Sequence, residues 1–284
     1  MPPDATSQQI EVMFSGLRQK SAANAVPPPG TLSAKLTVIA DTATGETTIV
    51  DAGTLTFFAT ASIEMWHRSL HSFLVSASLT KASPLWASVS GYYSSHYAIR
   101  AFAHLFGYFQ LHSKKRILHV EVKGGQYICH ILRKQGNDRE HKFYWKTVKD
   151  HSWFVADPFF TKNEEVQSRS DSGHRNRANY TDHINQFTTF QALDEAYLKQ
   201  RIEKIASIEL SDAPVPKTEA YPDIDSVQLI AYHRMVKFRK SVDEVLGGTN
   251  RFWKVQRKPG WCANLVDFQI VEPKYSGVYK EQLV

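Results

Sequence analysis

Cysteine is nearly absent from this chain: 284 residues carry two, Cys129 and Cys262. Two thiols make no disulfide framework, and without a Cys-x-x-Cys pair they make no cysteine-rich zinc site. A reducing cytoplasm is the compartment this composition predicts. Long apolar runs are missing too, and nothing approaches the roughly 20 consecutive apolar residues that a membrane-spanning helix needs. The opening MPPDATSQQIEVMF has neither a basic n-region nor an apolar h-region, so no secretory signal is expected. The Ser-Gly and Gly-Gly pairs lack a strand–loop–helix context, so no phosphate loop is predicted. No internal repeat and no long low-complexity tract stands out. The expectation is a soluble cytoplasmic protein with no membrane association and no cofactor.

What the chain does contain is ordinary in bulk and uneven in detail. Hydrophobic residues make up 42% and charged residues 22%, an average globular balance sufficient for one large domain or two small ones. A net charge of +6 and a pI near 9.1 lean towards a polyanionic partner. Twelve histidines and a 12% aromatic share suit base stacking and phosphate contacts, and suit an aromatic core equally well.

The most organised stretch is PLWASVSGYYSSHYAIRAFAHLFGYFQL, Pro84 to Leu111, read as one long helix. Leu85, Val89, Tyr92, His96, Ile99, Ala103 and Phe106 recur at alternating spacings of four and three, which marks a buried seam. Trp86, Tyr93, Tyr97, Arg100 and His104 run beside it as an aromatic and charged stripe. Ser88, Ser90, Gly91, Ser94 and Ser95 crowd the middle and let a second helix approach closely. Around this centre the chain divides into three parts. Residues 1–30 form a helix near Ser7 to Gln19 and a linker from Ala25 through Pro27, Pro28 and Pro29 to Gly30. Residues 31–210 hold the main domain, and residues 211–284 a further helix ended by Gly247-Gly248, followed by strand and turn. Within the main domain, Leu32 to Ala40 reads as one arm of a β-hairpin paired with Glu46 onwards. Ser62 is the expected N-cap of the next helix. RILHVEVKGGQYICHILRK and HKFYWKTV read as an antiparallel insertion, with turns at Gly124-Gly125 and at Gln135 to Asn137. Asn163 to Arg175 reads as a loop, and a helix is expected from about Arg177.

Candidate chemistry gathers in a few places. Arg100 and His104, four apart, share a helical face, where a guanidinium can grip a phosphate while an imidazole moves a proton. The alternative is a polar bundle interface. HRNRANYTDH collects His174, Arg175, Arg177, Asn179, Tyr180, Asp182 and His183. On a straight helix Arg177 and His183 lie about 120° apart, so a shared site requires a bent helix start or a second subunit. The alternative there is a basic helix entrance. Lys114-Lys115-Arg116, Arg133-Lys134 and the Arg251 to Lys258 stretch offer cations beside aromatics, a surface that suits single-stranded nucleic acid, or plain solvated strand ends. His67 and His71 form an HxxxH pair one turn from Glu64, but helical histidine pairs more commonly pack than ligate, and no metal is expected. Cys129, flanked by apolar residues on a predicted strand, is not read as a nucleophile.

GYYSSHYAIRAFAHLFG resembles the signature helix of HEPN-domain proteins, with its tyrosine pair, small residues and aromatic-Ala-x-Arg-Ala run. Arg177-Ala178-Asn179-Tyr180 resembles the later HEPN helix, and the two segments come in the family's order. The resemblance covers residues 62–111 and 175–210. It implies a helical bundle, and with the β segments read above the expected fold is α+β: a HEPN-like helical bundle with an N-terminal β-hairpin and an inserted small antiparallel sheet. It implies an RNA-directed function, a metal-independent ribonuclease of toxin or antiviral-defence type acting as a homodimer, with an antitoxin as a protein partner. In that reading Arg177 is the phosphate-binding cation and His183 the proton-transfer group, because attack of a ribose 2′-hydroxyl on its own phosphate needs charge stabilisation and acid–base work. Asn179, Tyr180, Arg100 and His104 support them, and Lys114, Lys115, Arg116 and Arg175 contact the nucleic acid. The alternative is a non-catalytic HEPN-like module that binds a protein partner or nucleic acid.

Overall fold

The structure is a computed structural model and describes residues 5–22, 31–43, 45–111, 116–133, 140–154, 157, 159–160, 195–207 and 224–247. Among these, seven α-helices and one four-stranded antiparallel sheet make an α+β fold. The order is α1 (Ala5–Ala22), α2 (Thr31–Thr42), β1 (Thr47–Ile49), α3 (Ala52–Leu79), α4 (Pro84–Leu105), β2 (Tyr108–Leu111), β3 (Arg116–Lys123), β4 (Gln126–Arg133) and α5 (Glu140–Lys149). A 3₁₀ turn (Ser152–Phe154), α6 (Glu195–Ala206) and α7 (Ile224–Leu246) follow. No described helix is long and apolar enough to cross a membrane. Contacts divide the chain into two compact units, with boundaries inside α3, α4 and α7.

The first unit takes in 1–66, 99–149 and 240–254. Its sheet has the order β1-β4-β3-β2. β3 and β4 form a hairpin about Gly124 and Gly125, both at positive φ, as the Gly-Gly pair predicts. Leu118, Val120, Cys129, Phe109 and Leu111 are buried on one face of the sheet. α1 buries Ile10, Met13, Phe14 and Leu17, one face of a 3.6-residue period. Gly16 lets α1 close on α3, because a Cβ there would lie 2.4 Å from Thr56 Oγ1. The Arg18 guanidinium donates to Leu246 O at 2.7 Å and Gly247 O at 3.3 Å, satisfying carbonyls left open at the C-terminal end of α7.

Four expectations are corrected here. The N-terminal hairpin does not form: Leu32 to Ala40 is α2, and β1 pairs with β4. Leu32, Leu36 and Ala40 are buried at a spacing of four, whereas Val38, which a strand would place on the same face, is 60% exposed. Burial at helical spacing overrides the β-branched composition. The next helix starts at Ala52, not at Ser62; Asp51 caps it, accepting from Thr54 N at 2.7 Å, and Ser62 Oγ instead donates to Phe58 O inside the helix. The long helix stops at Leu105. Gly107, at φ +81°, turns the chain into β2, and a Cβ there would meet Val120 O at 2.1 Å, so only glycine fits. HKFYWKTV is helical, within α5: Tyr144 and Val148 are buried four apart, while Lys146, their would-be neighbour on a strand face, is exposed.

The second unit takes in 67–98, 150–239 and 255–284. Its centre is a seam of small residues between α3 and α4. Ser69 Oγ donates to Ser94 O at 2.7 Å, Ser94 Oγ donates to Ser69 O at 2.8 Å, and Ser76 Oγ donates to Ala87 O at 2.6 Å. α7 packs Val227 against Gly91, where a Cβ would come within 2.6 Å of Val227 Cγ1. Of the seam predicted from Leu85 to Phe106, this unit buries Val89, Tyr92 and His96 and leaves Leu85 half-buried; Ile99, Ala103 and Phe106 are buried in the first unit.

Candidate functional site

The expected pair Arg100 and His104 does come together, in the first unit, with His104 buried and Arg100 half-buried. Full burial, helped by the Arg100 charge, pushes the His104 imidazole down to about 3, so the ring is neutral at physiological pH. Its Nδ1–H donates to Tyr108 O at 2.9 Å, which fixes the tautomer and leaves Nε2 to accept from Arg100 Nε–H at 3.3 Å. The ring stacks on Phe109 with centroids 5.0 Å apart, and the Arg100 guanidinium lies 5.2 Å from the centre of the Tyr144 ring. Tyr144 in turn accepts from Gln110 N through its hydroxyl at 3.2 Å. The cluster ties the end of α4 to β2 and α5. A neutral, buried lone pair oriented by a guanidinium makes a joint, and offers no proton at neutral pH.

Of the other expected residues, Arg177, His183, Asn179, Tyr180, Arg175, Lys114 and Lys115 lie outside the described residues. Arg116 donates from Nη1 to Ala40 O at 2.8 Å, joining β3 to α2. Burial pushes the Cys129 thiol up to about 11, which leaves it unreactive as a thiolate. Among the described residues no group of three or more His, Cys, Asp or Glu is arranged to hold a metal ion.

Two further clusters have no counterpart among the sequence expectations. In the second unit, α7 presents His233 and Arg234 side by side to the segment after the 3₁₀ turn. His233 Nε2 lies 3.1 Å from Asp157 Oδ2, and its ring packs on Phe159 at 4.2 Å. Burial pushes the Asp157 carboxyl up, but the His233 bond and charge, the Phe159 N–H and Lys237 outweigh it and hold it below the usual carboxylate range. Arg234 is 1% exposed and donates twice to Phe159 O, at 3.2 and 2.8 Å, and once to Ser95 Oγ. Another buried guanidinium, Arg201, reaches the Asp225 carboxylate and donates to Gln228 Oε1 at 2.8 Å, while Gln228 Nε2 donates to Ser76 Oγ at 3.0 Å and Thr80 Oγ1 at 2.8 Å. These buried side chains donate to backbone and side-chain oxygens and read as the polar core of a bundle.

The other cluster lies on the second face of the sheet. Tyr108, His119 and His130 are direct cross-strand partners on β2, β3 and β4. Their rings form a row, with centroids 4.0 Å apart for Tyr108–His119 and 5.8 Å for His119–His130. Burial pushes His119 down to about 4, so it stacks as a neutral ring. His130 Nε2 donates to Glu121 Oε1 at 3.0 Å, and that bond is the first cause of the lowered Glu121 carboxyl. This cluster reaches solvent: His130 keeps 31% of its side chain exposed. The hairpin turn carries a sequence signal for it, since residues 119 and 130 are equidistant from Gly124-Gly125. Comparison with family models, with characterised proteins and with solved structures finds no match to this chain.

Proposed function

We propose that the chain is a cytoplasmic, RNA-directed HEPN-like protein that acts as a homodimer. The observation that carries the reading is the place of GYYSSH in the second unit. Its Gly91 and Ser94 sit at the α3–α4 seam, backed by Val227, with buried guanidinium groups holding the surrounding segments. Small residues there let the helices approach closely, as the residues of this stretch predict. The net charge of +6 agrees with a polyanionic partner.

In the catalytic form of the reading, Arg177 stabilises charge on the phosphate and His183 takes part in the proton transfers. The ribose 2′-oxygen attacks phosphorus, the bond to the 5′-oxygen breaks, and the proton lost from the 2′-hydroxyl is balanced by one delivered to the leaving oxygen. An antitoxin is the protein partner of that form. A second reading, a non-catalytic module that binds nucleic acid or a protein, is favoured by the burial of His104, whose Nδ1 is bonded to Tyr108 O and whose ring stacks on Phe109. Incubation with total RNA in EDTA separates the two. Cleavage that survives EDTA and disappears in Arg177→Ala and in His183→Ala supports the ribonuclease. RNA binding without cleavage by any form supports the module, and absence of both overturns an RNA-directed role.

A further inference from the structure

We draw no further inference here: the strongest candidate, the buried Gln110 side chain on β2, whose amide nitrogen and oxygen find no hydrogen-bond partner, carries nothing because no space that a ligand could fill is shown beside it among the described residues.

Discussion

Replacing Gly91 by alanine tests the packing on which the functional reading rests. In an exposed helix the change stabilises, by about 1 kcal/mol, because alanine loses less conformational freedom than glycine. Here the new methyl would stand 2.6 Å from Val227 Cγ1 and 3.0 Å from Ser76 Oγ. Optimal carbon–carbon separation is about 3.5–4.0 Å, so α4 and α7 must separate by about 1 Å or Val227 must leave its rotamer, which a β-branched side chain resists. Overpacking of this size costs about 1–3 kcal/mol. The net expectation for Gly91→Ala is a loss of about 1 kcal/mol, or a fall of about 2–4 °C in Tm. Val227→Ala alone removes two buried methyl groups and costs about 2 kcal/mol. In that background the clash with Cγ1 is gone and only the Ser76 hydroxyl must yield, so Gly91→Ala should change sign and stabilise by up to about 1 kcal/mol. Urea unfolding followed by far-ultraviolet circular dichroism gives the four free energies of the cycle. A Gly91→Ala protein that is more stable than wild type, or a change of equal size in both backgrounds, would refute the close approach of α4 and α7.

Stability should depend on pH through His104. The folded ring takes a proton only near pH 3, while an unfolded histidine does so near 6.5. Between those values the unfolded chain binds more protons, so stability is full above about 6.5 and falls as the pH drops towards 3. His104→Phe should flatten that slope in urea midpoints measured from pH 4 to 7, and an unchanged slope would show that the ring is not held neutral by burial. Arg234→Met should cost about 2–4 kcal/mol, since a buried carbonyl at Phe159 and the Ser95 hydroxyl lose their donors. Arg234→Lys should rescue it only in part, because an ammonium cannot match the fork of guanidinium N–H groups. A thermal melt unchanged in Arg234→Met would dismiss the clamp.

Several elements are legible in the amino-acid sequence alone. The helix predicted near Ser7 to Gln19 is α1, Gly124-Gly125 announces the β3–β4 turn, and Val89, Tyr92, His96 and Ile99, predicted as a seam by their four-three spacing, are buried. Each of these signals is local, set by helix period or by turn chemistry within a few residues. Where local signals conflict, composition misleads: the β-branched residues of Leu32 to Ala40 and the aromatics of HKFYWKTV suggest strands, and burial at a spacing of four makes helices of both.

The sequence by itself determined a helix-rich chain with a small antiparallel insertion, a close-packed stretch around Gly91, and a basic net charge, because those properties follow from residue type and spacing. Tertiary structure alone decided which polar residues meet. Arg100 and His104 are neighbours by helical geometry, yet whether they face solvent or a closed joint depended on Phe109, Tyr144 and the path of β2. His233 and Arg234 acquired partners 76 and 75 residues away, and the row of Tyr108, His119 and His130 exists only because β2, β3 and β4 pair. Pairing across such distances in the chain is set by which surfaces bury one another, and no local period encodes it.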